Sequence, residues 1–337
     1  MLYLTFYHHS ILVRCNESSL LKKLQEEFHF FQVEDIPEDM RATDFIIDAY
    51  LKPPPEIPSM EAKKILEHVT VYQRGDFKYL DYSGNDLAIW NHKKNHVELF
   101  SVDASRLFEI SFLCIHSLLG QSLDRSGLCR LHALGVSMNS LNAIVMLPSM
   151  GGKSTLLKEL IQYPEIKIIS DDTPLCDTRG RIHPFPSKIS LEKIPEEGPL
   201  ATLTWNEFKR QHFSTKWTLS LSQIKDRISI HSADHKNILI QGLRISSGVS
   251  HIKNVPKWKM IKPMMEHMII GFGLPQILEM FLNFKFGDAF KLFVHGFIRS
   301  LCAFHLVRKS RCYYMYLGPD KSLNATLIRN ILHEHQN

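Results

Sequence analysis

Short runs in which apolar and polar residues alternate fill the first hundred positions, and a helical apolar period dominates later. Leu2–Tyr7 and Ile11–Cys15 predict a hairpin, Ser18–Phe30 an amphipathic helix, and Phe45–Leu51 a strand ending at Pro53-Pro54-Pro55. The runs Val69–Gln73, Phe77–Tyr82, Leu87–Trp90 and His96–Val102 are separated by Arg74-Gly75-Asp76, Ser83-Gly84-Asn85-Asp86 and His92-Lys93-Lys94-Asn95. Strands at this spacing with turn residues between them predict an antiparallel meander. Arg74-Gly75-Asp76, which elsewhere serves adhesion, falls at a hairpin position here and reads as a turn.

Asp103 is placed to cap a helix with Ala104, Leu107, Phe108, Ser111, Phe112, Ile115, Leu118 and Leu119 on one face, ending near Gly120. Leu128–Ser137 and Ala143–Leu147 predict two strands joined by a turn at Asn139–Asn142. A helix over Leu156–Ile161 stops before Pro164, and Ile166–Ile169 is a short apolar strand running into Ser170-Asp171-Asp172. Residues 192–216 are polar and irregular, which predicts a mobile segment. From about 262 the pattern is helical until a strand at Cys312–Leu317, and a last helix covers roughly Ser322–His335.

Composition narrows the class. The 337 residues suffice for two domains with cores of their own, and 44% hydrophobic with 22% charged residues is the balance of a soluble globular protein. A net charge of +5 suits anionic ligands such as nucleotides and is too small an excess to argue for nucleic acid. The 18 histidines show no zinc-binding spacing, and the six cysteines form no C-x-x-C pair. Free thiols in a reducing cytosol follow. Met1-Leu2-Tyr3-Leu4-Thr5 is no signal peptide, and the most apolar stretch, Met268–Phe284, is broken by Pro275 and Glu279. It predicts a buried or interface helix rather than a transmembrane one, so a cytoplasmic protein is expected, with self-association left open.

The chemistry concentrates at Leu147-Pro148-Ser149-Met150-Gly151-Gly152-Lys153-Ser154-Thr155, between an apolar strand and a helix. Strand, small-residue loop, Lys-Ser and helix is the context of a Walker A loop. Its backbone N–H groups converge on phosphate oxygens at a positive helix end. Ser149, Met150, Gly151, Gly152, Lys153, Ser154 and Thr155 are thus candidate ATP-binding residues, with Lys153 on the β- and γ-phosphates and Ser154 on Mg²⁺. Leu147 stands where the motif wants its first glycine, and Pro148 pushes it toward an extended conformation as the last strand residue. Asp171-Asp172, at the end of a strand, face the same crevice in an α/β sheet. One carboxylate can hold Mg²⁺ and the other accept a hydroxyl proton. The same pair also suits a plain turn before Pro174.

The order Leu131-His132-Ala133, the Gly-Gly-Lys-Ser loop, Ser170-Asp171-Asp172 and Gly180-Arg181-Ile182-His183-Pro184-Phe185-Pro186 resembles the HPr kinase/phosphorylase C-terminal domain and its HPr-kinase-like relatives. The resemblance is clearest over residues 128–191. It implies an α/β fold with a P-loop kinase domain akin to phosphoenolpyruvate carboxykinase, spanning 126–337 with extra carboxyl-terminal helices. A β-rich α+β domain, 1–125, precedes it and matches no part of true HPr kinases. The family phosphorylates serine hydroxyls with ATP and Mg²⁺. Carried over, Asp171 is the base, Asp172 a metal or phosphate partner beside Ser154, and His132 an active-site histidine. Arg244, in Ile240-Gln241-Gly242-Leu243-Arg244, echoes a later family segment and is a candidate cation for transition-state charge. HPr is not the expected acceptor; another protein, peptide or small molecule is.

Two further readings stay open. A nucleotide-binding regulator without catalysis would follow if Leu147 spoils the loop. A pure interaction protein would use Met268–Phe284 and the basic segment Lys253–Lys262, which otherwise read as a core helix and a solvated loop. The loop also looks like that of MutS-type ATPases, whose later Asp-Glu pair and downstream histidine are not found. Gly271-Phe272-Gly273 is too short for a dinucleotide fingerprint.

Overall fold

The computed structural model describes residues 1–33, 43–82, 84–148, 150–209, 215–231, 233–274 and 286–336, with backbone alone over 286–292. The chain is mixed α/β and divides into two compact units. The first holds Met1–Ser122 with returning residues from Glu207–Lys216 and Pro275–Asp288; the second holds Leu123–Asn206, Trp217–Leu274 and Ala289–Asn337. The first unit thus draws on two later stretches of the chain as well as on the amino-terminal one. No helix among the described residues is long and apolar enough to cross a membrane.

In the first unit β1 (Leu2–Phe6) and β2 (His9–Cys15) form the expected hairpin, and α1 (Ser18–Glu27) crosses over to β3 (Phe45–Leu51), which pairs parallel to β2. Then β4 (Lys64–Ile65), β5 (Thr70–Arg74), β6 (Phe77–Tyr82), β7 (Asp86–Asn91) and β8 (His96–Ser101) build the meander, β8 returning parallel beside β3. The eight strands make one sheet in the order β1-β2-β3-β8-β7-β6-β5-β4. Arg74 pairs with Phe77 across a tight turn, so Arg74-Gly75-Asp76 is a hairpin turn. The Asp103 carboxylate accepts from the N–H groups of Ser105 and Arg106 and starts α2 (Ala104–Arg125). This helix runs past Gly120, because buried Leu119 and Leu123 carry the apolar period through the glycine. Phe28 stacks on Phe112, and Leu87, Ile89 and Phe100 form a separate apolar cluster in this unit.

The second unit holds the Gly-Gly-Lys-Ser loop and Asp171-Asp172. Its elements begin with β9 (Leu128–Arg130), β10 (Leu134–Met138), β11 (Leu141–Met146), α3 (Lys153–Leu160) and β12 (Lys167–Ser170). Short strands β13 (Leu175–Asp177), β14 (Ile182–His183) and β15 (Lys188–Leu191) follow, then β16 (Asn206–Phe208), most of which belongs to the first unit, and β17 (Lys216–Ser220). Then come β18 (Lys236–Arg244), β19 (His251–Asn254), α4 (Ile261–Met264), α5 (Phe286–Lys309), β20 (Arg311–Leu317) and α6 (Lys321–Glu334). Six strands form a mixed sheet in the order β12-β10-β11-β18-β20-β19, in which β11, β18 and β20 run parallel.

Several expectations change here. The single strand over Leu128–Ser137 is two, interrupted at Leu131-His132-Ala133, whose amides donate to Pro174 O, His267 O and Asp172 O. The turn between β10 and β11 is two residues, with Asn139 at φ 52°. β18, in the middle of the sheet, was not singled out by the alternation pattern, because its residues Asn237 to Gly242 are buried without a break. Residues 192–216 are not uniformly irregular: Trp205 is buried with its indole N–H on Leu200 O, and β16 follows. Residues 210–214 of that stretch, and 275–284 of the apolar run, lie outside the described residues. The described start of that run is a π-helical turn, Met265–Ile270, continuing α4.

Candidate functional site

β11 and β12 are both antiparallel to β10, so their carboxyl ends share one edge of the sheet. The Gly-Gly loop leaves β11 at that edge, and Asp171-Asp172 leave β12 there. Leu147 falls just past β11, fully buried, and its side chain fills the space over Gly242: a Cβ on Gly242 would lie 2.4 Å from Leu147 Cδ2. The residue that replaces the loop's first glycine therefore points into the sheet and leaves only its carbonyl to the loop. The next constraint is Gly151, where a Cβ would sit 2.7 Å from Pro148 O. Met150, at φ 59°, is 88% exposed, and Gly152, at φ 98°, caps the start of α3. Ser149 lies outside the described residues.

Two consecutive residues of α3 meet two consecutive residues after β12. The Lys153 amine is buried and lies 3.3 Å from Asp172 Oδ1, while Ser154 Oγ donates to Asp171 Oδ2 at 3.3 Å. Lys153 also donates to Leu147 O at 3.1 Å and lies 2.7 Å from His132 Nε2, which is itself 3.1 Å from Asp172 Oδ1. Asp171 Oδ2 takes a further hydrogen bond from the Ser190 N–H, bringing the end of β15 to the site. Asp171 is buried, whereas the Asp172 side chain is 43% exposed.

The electrostatics follow from this crowding. Burial raises the Asp172 carboxyl, but the His132 hydrogen bond and the Lys153 and His132 charges outweigh it and hold it down at about 2. His267 packs its ring 5.7 Å from that of His132, and burial, with the positive charge of His132 and Lys153, lowers it to about 4. It stays neutral near pH 7.

Of the residues singled out in the sequence, His132, Lys153, Ser154, Asp171 and Asp172 converge, with Gly151 and Gly152 shaping the loop. Thr155 is half-buried on α3 and Arg244 exposed at the end of β18; among the described residues no bond ties either side chain to the cluster. His267 and the Ser190 amide went unnoticed. For His267 the signal existed, a lone imidazole inside Met264-Met265-Glu266-His267-Met268, but an apolar run of that kind reads as core. A backbone amide such as that of Ser190 leaves no trace in sequence.

Ser154 Oγ and Asp171 Oδ2 are hard oxygen donors, and their 3.3 Å separation is near the edge of an octahedron with about 2.1 Å bonds, roughly 3.0 Å. They fit Mg²⁺ held mainly by water and phosphate. Among the described residues no group of three His, Cys, Asp or Glu side chains forms a complete metal cage. No family model matches this chain, and no curated protein does.

Proposed function

We propose that this chain is a P-loop kinase, similar to the HPr-kinase-like proteins, that moves the γ-phosphoryl group of ATP to a serine-type hydroxyl. One observation carries the reading: Lys153-Ser154 face Asp172-Asp171 residue for residue at one edge of the sheet. An ammonium and a hydroxyl at a helix start, each met by a carboxylate from a neighbouring strand end, are the parts that phosphoryl transfer needs.

In this reading the loop amides and Lys153 hold the β- and γ-phosphates. Ser154 and Asp171 would hold Mg²⁺, which would supply positive charge to offset that of the phosphates. Pairing with Ser154 favours Asp171 as the metal-side carboxylate. That leaves Asp172, the more exposed of the two, to receive the acceptor's proton, the reverse of the split carried over from the resemblance. The acceptor oxygen then bonds to the γ-phosphorus as the bond to the bridging oxygen breaks and ADP leaves. The acceptor is a protein, peptide or small molecule bearing a hydroxyl.

A second reading rests on Lys153, whose amine already has Leu147 O, Asp172 Oδ1 and His132 Nε2 around it without a phosphate. A protein that binds nucleotide only to shift that cluster would be a regulator. Calorimetry with Mg-ATP and transfer of labelled γ-phosphate to serine-containing acceptors separate the two. The kinase predicts binding that falls at least about tenfold in Lys153→Met, near 1.4 kcal/mol, and transfer that disappears in Asp172→Asn. Binding without transfer supports the regulator, and full binding by Lys153→Met removes the phosphate loop from either reading.

A further inference from the structure

Between Lys257 and Ile270 the chain carries apolar residues on two opposite sides. A 3₁₀ turn, Lys257–Met260, runs straight into α4 and then into the π-helical turn Met265–Ile270. Met260, Met264 and Met268 are buried in the core cluster that also holds Cys302 and Leu306 of α5. A surface helix packed by one face ordinarily turns polar residues outward. This one does not. Trp258 is 65% exposed, Ile261 63% and Met265 41%, and Ile270 follows at 50%. Three residues to a 3₁₀ turn and nearly four to an α-turn stack Trp258, Ile261 and Met265 in one outward row. Clustered apolar exposure of this kind marks an interaction site.

Cations frame that row. Lys253, Lys257, Lys259 and Lys262 are exposed, and Glu266 is the only acidic residue in the sequence from 251 to 274. Lys257 donates to the carbonyl of Arg308, which brings the basic end of α5, Arg308-Lys309, to the same edge. The Lys259 amine lies 5.3 Å from the centre of the Trp258 ring, and the Lys259 carbonyl accepts from the Tyr314 hydroxyl. Lys262 meets Glu266 at 3.8 Å, a long pair open to water that leaves the lysine's charge on the surface.

This mixture fits one kind of partner. Lysine is depleted from the cores of protein–protein interfaces, so apolar tips interleaved with lysines suit a protein surface poorly. Single-stranded nucleic acid stacks its bases on aromatic platforms, and Ile261, Met265 and Ile270 offer no flat face. A bilayer surface accommodates both halves of the mixture. Aliphatic tips and an indole enter the head-group region, while lysine stems lie along apolar surface and keep their charges among anionic head groups. Tryptophan is itself enriched at that boundary.

We propose that Lys253–Ile270 and the basic end of α5 form a face that docks on an anionic lipid bilayer, resting among the head groups without crossing. Sedimentation of the full chain with phosphatidylcholine vesicles, with and without phosphatidylserine as about one-third of the lipid, tests it. Binding is expected only with the serine lipid. It should weaken at least about tenfold in Lys259→Glu with Lys262→Glu, and separately in Trp258→Ser with Ile261→Ser, while the melting curves stay unchanged. Brominated lipid tails should quench the tryptophan fluorescence of the wild type and quench that of Trp258→Phe much less. No binding to serine-lipid vesicles, wild-type binding by either double variant, or equal quenching in Trp258→Phe overturns the proposal. Capture of a single-stranded RNA oligomer with the vesicles left unbound overturns it too, and gives the face to nucleic acid. Should a double variant melt early, the quenching comparison decides alone.

Discussion

A leucine stands where a phosphate loop ordinarily has glycine, and the structure resolves its effect at the level of one methyl group. Leu147 is accommodated because position 242, on the neighbouring parallel strand, has no side chain. The pair is therefore one unit. Gly242→Ala places a methyl group 2.4 Å from Leu147 Cδ2 and 2.9 Å from Leu317 Cδ1, and is expected to cost about 1–3 kcal/mol in urea unfolding. Leu147→Ala alone leaves a cavity with a cost of about 2–5 kcal/mol. The double variant should be more stable than the sum of the two predicts, by at least about 0.5 kcal/mol. Additive costs would show that the two side chains do not share the space.

Elements rather than single residues place the second wall of the site. The π-turn after α4 depends on Arg299, whose guanidinium is buried with Asp124 at 2.6 Å and donates to two of the turn's carbonyls. Removing one member of a buried pair strands the other, so Arg299→Leu is expected to lower stability by roughly 3–5 kcal/mol, and Asp124→Leu added to it to recover part of that. An unchanged melting curve for Arg299→Leu would mean the turn is held by packing alone. At this scale the sequence was legible where a period met a capping signal: Asp103 and the meander turns came through close to their observed places. The buried strand β18 did not, since burial runs unbroken from Asn237 to Gly242 across polar and apolar residues alike and leaves no alternation to read. Nor did the break at Leu131-His132-Ala133, which local residues do not impose. It comes from three amides paired with carbonyls far along the chain. The loop and the paired aspartates were legible because their chemistry needs particular residues close together in sequence. Their meeting was expected from the common crevice of an α/β sheet; what the residues do not show is that β10 lies between β11 and β12, antiparallel to both.

Acid stability belongs to the whole second unit, because several of its groups titrate away from their ordinary values. His267, lowered from 6.5 to about 4, binds its proton in the unfolded chain first. Between those values the unfolded state holds more protons, so stability falls as pH drops, by up to roughly 1.4 kcal/mol per pH unit for one group. Asp172 and Asp177 are each lowered from 3.8 to about 2, Asp177 by bonds from Arg181 and His183 that outweigh its burial. Their contribution is complete above about 4 and is lost as pH falls toward 2. Urea midpoints of the full chain should thus decline in two stages, one from pH 6.5 to 4 and one below 4, and His267→Gln should flatten the first only. A profile flat from pH 7 to 4 in the wild type would contradict a neutral buried imidazole there.

The stitching of Leu131-His132-Ala133 to Pro174, His267 and Asp172 has a kinetic corollary. A tripeptide whose amides close on carbonyls from two distant segments of the chain cannot be satisfied by any nascent hairpin or isolated helix. This junction is then expected to be the last part of the unit to form, and its amides should surrender deuterium only when the whole unit opens.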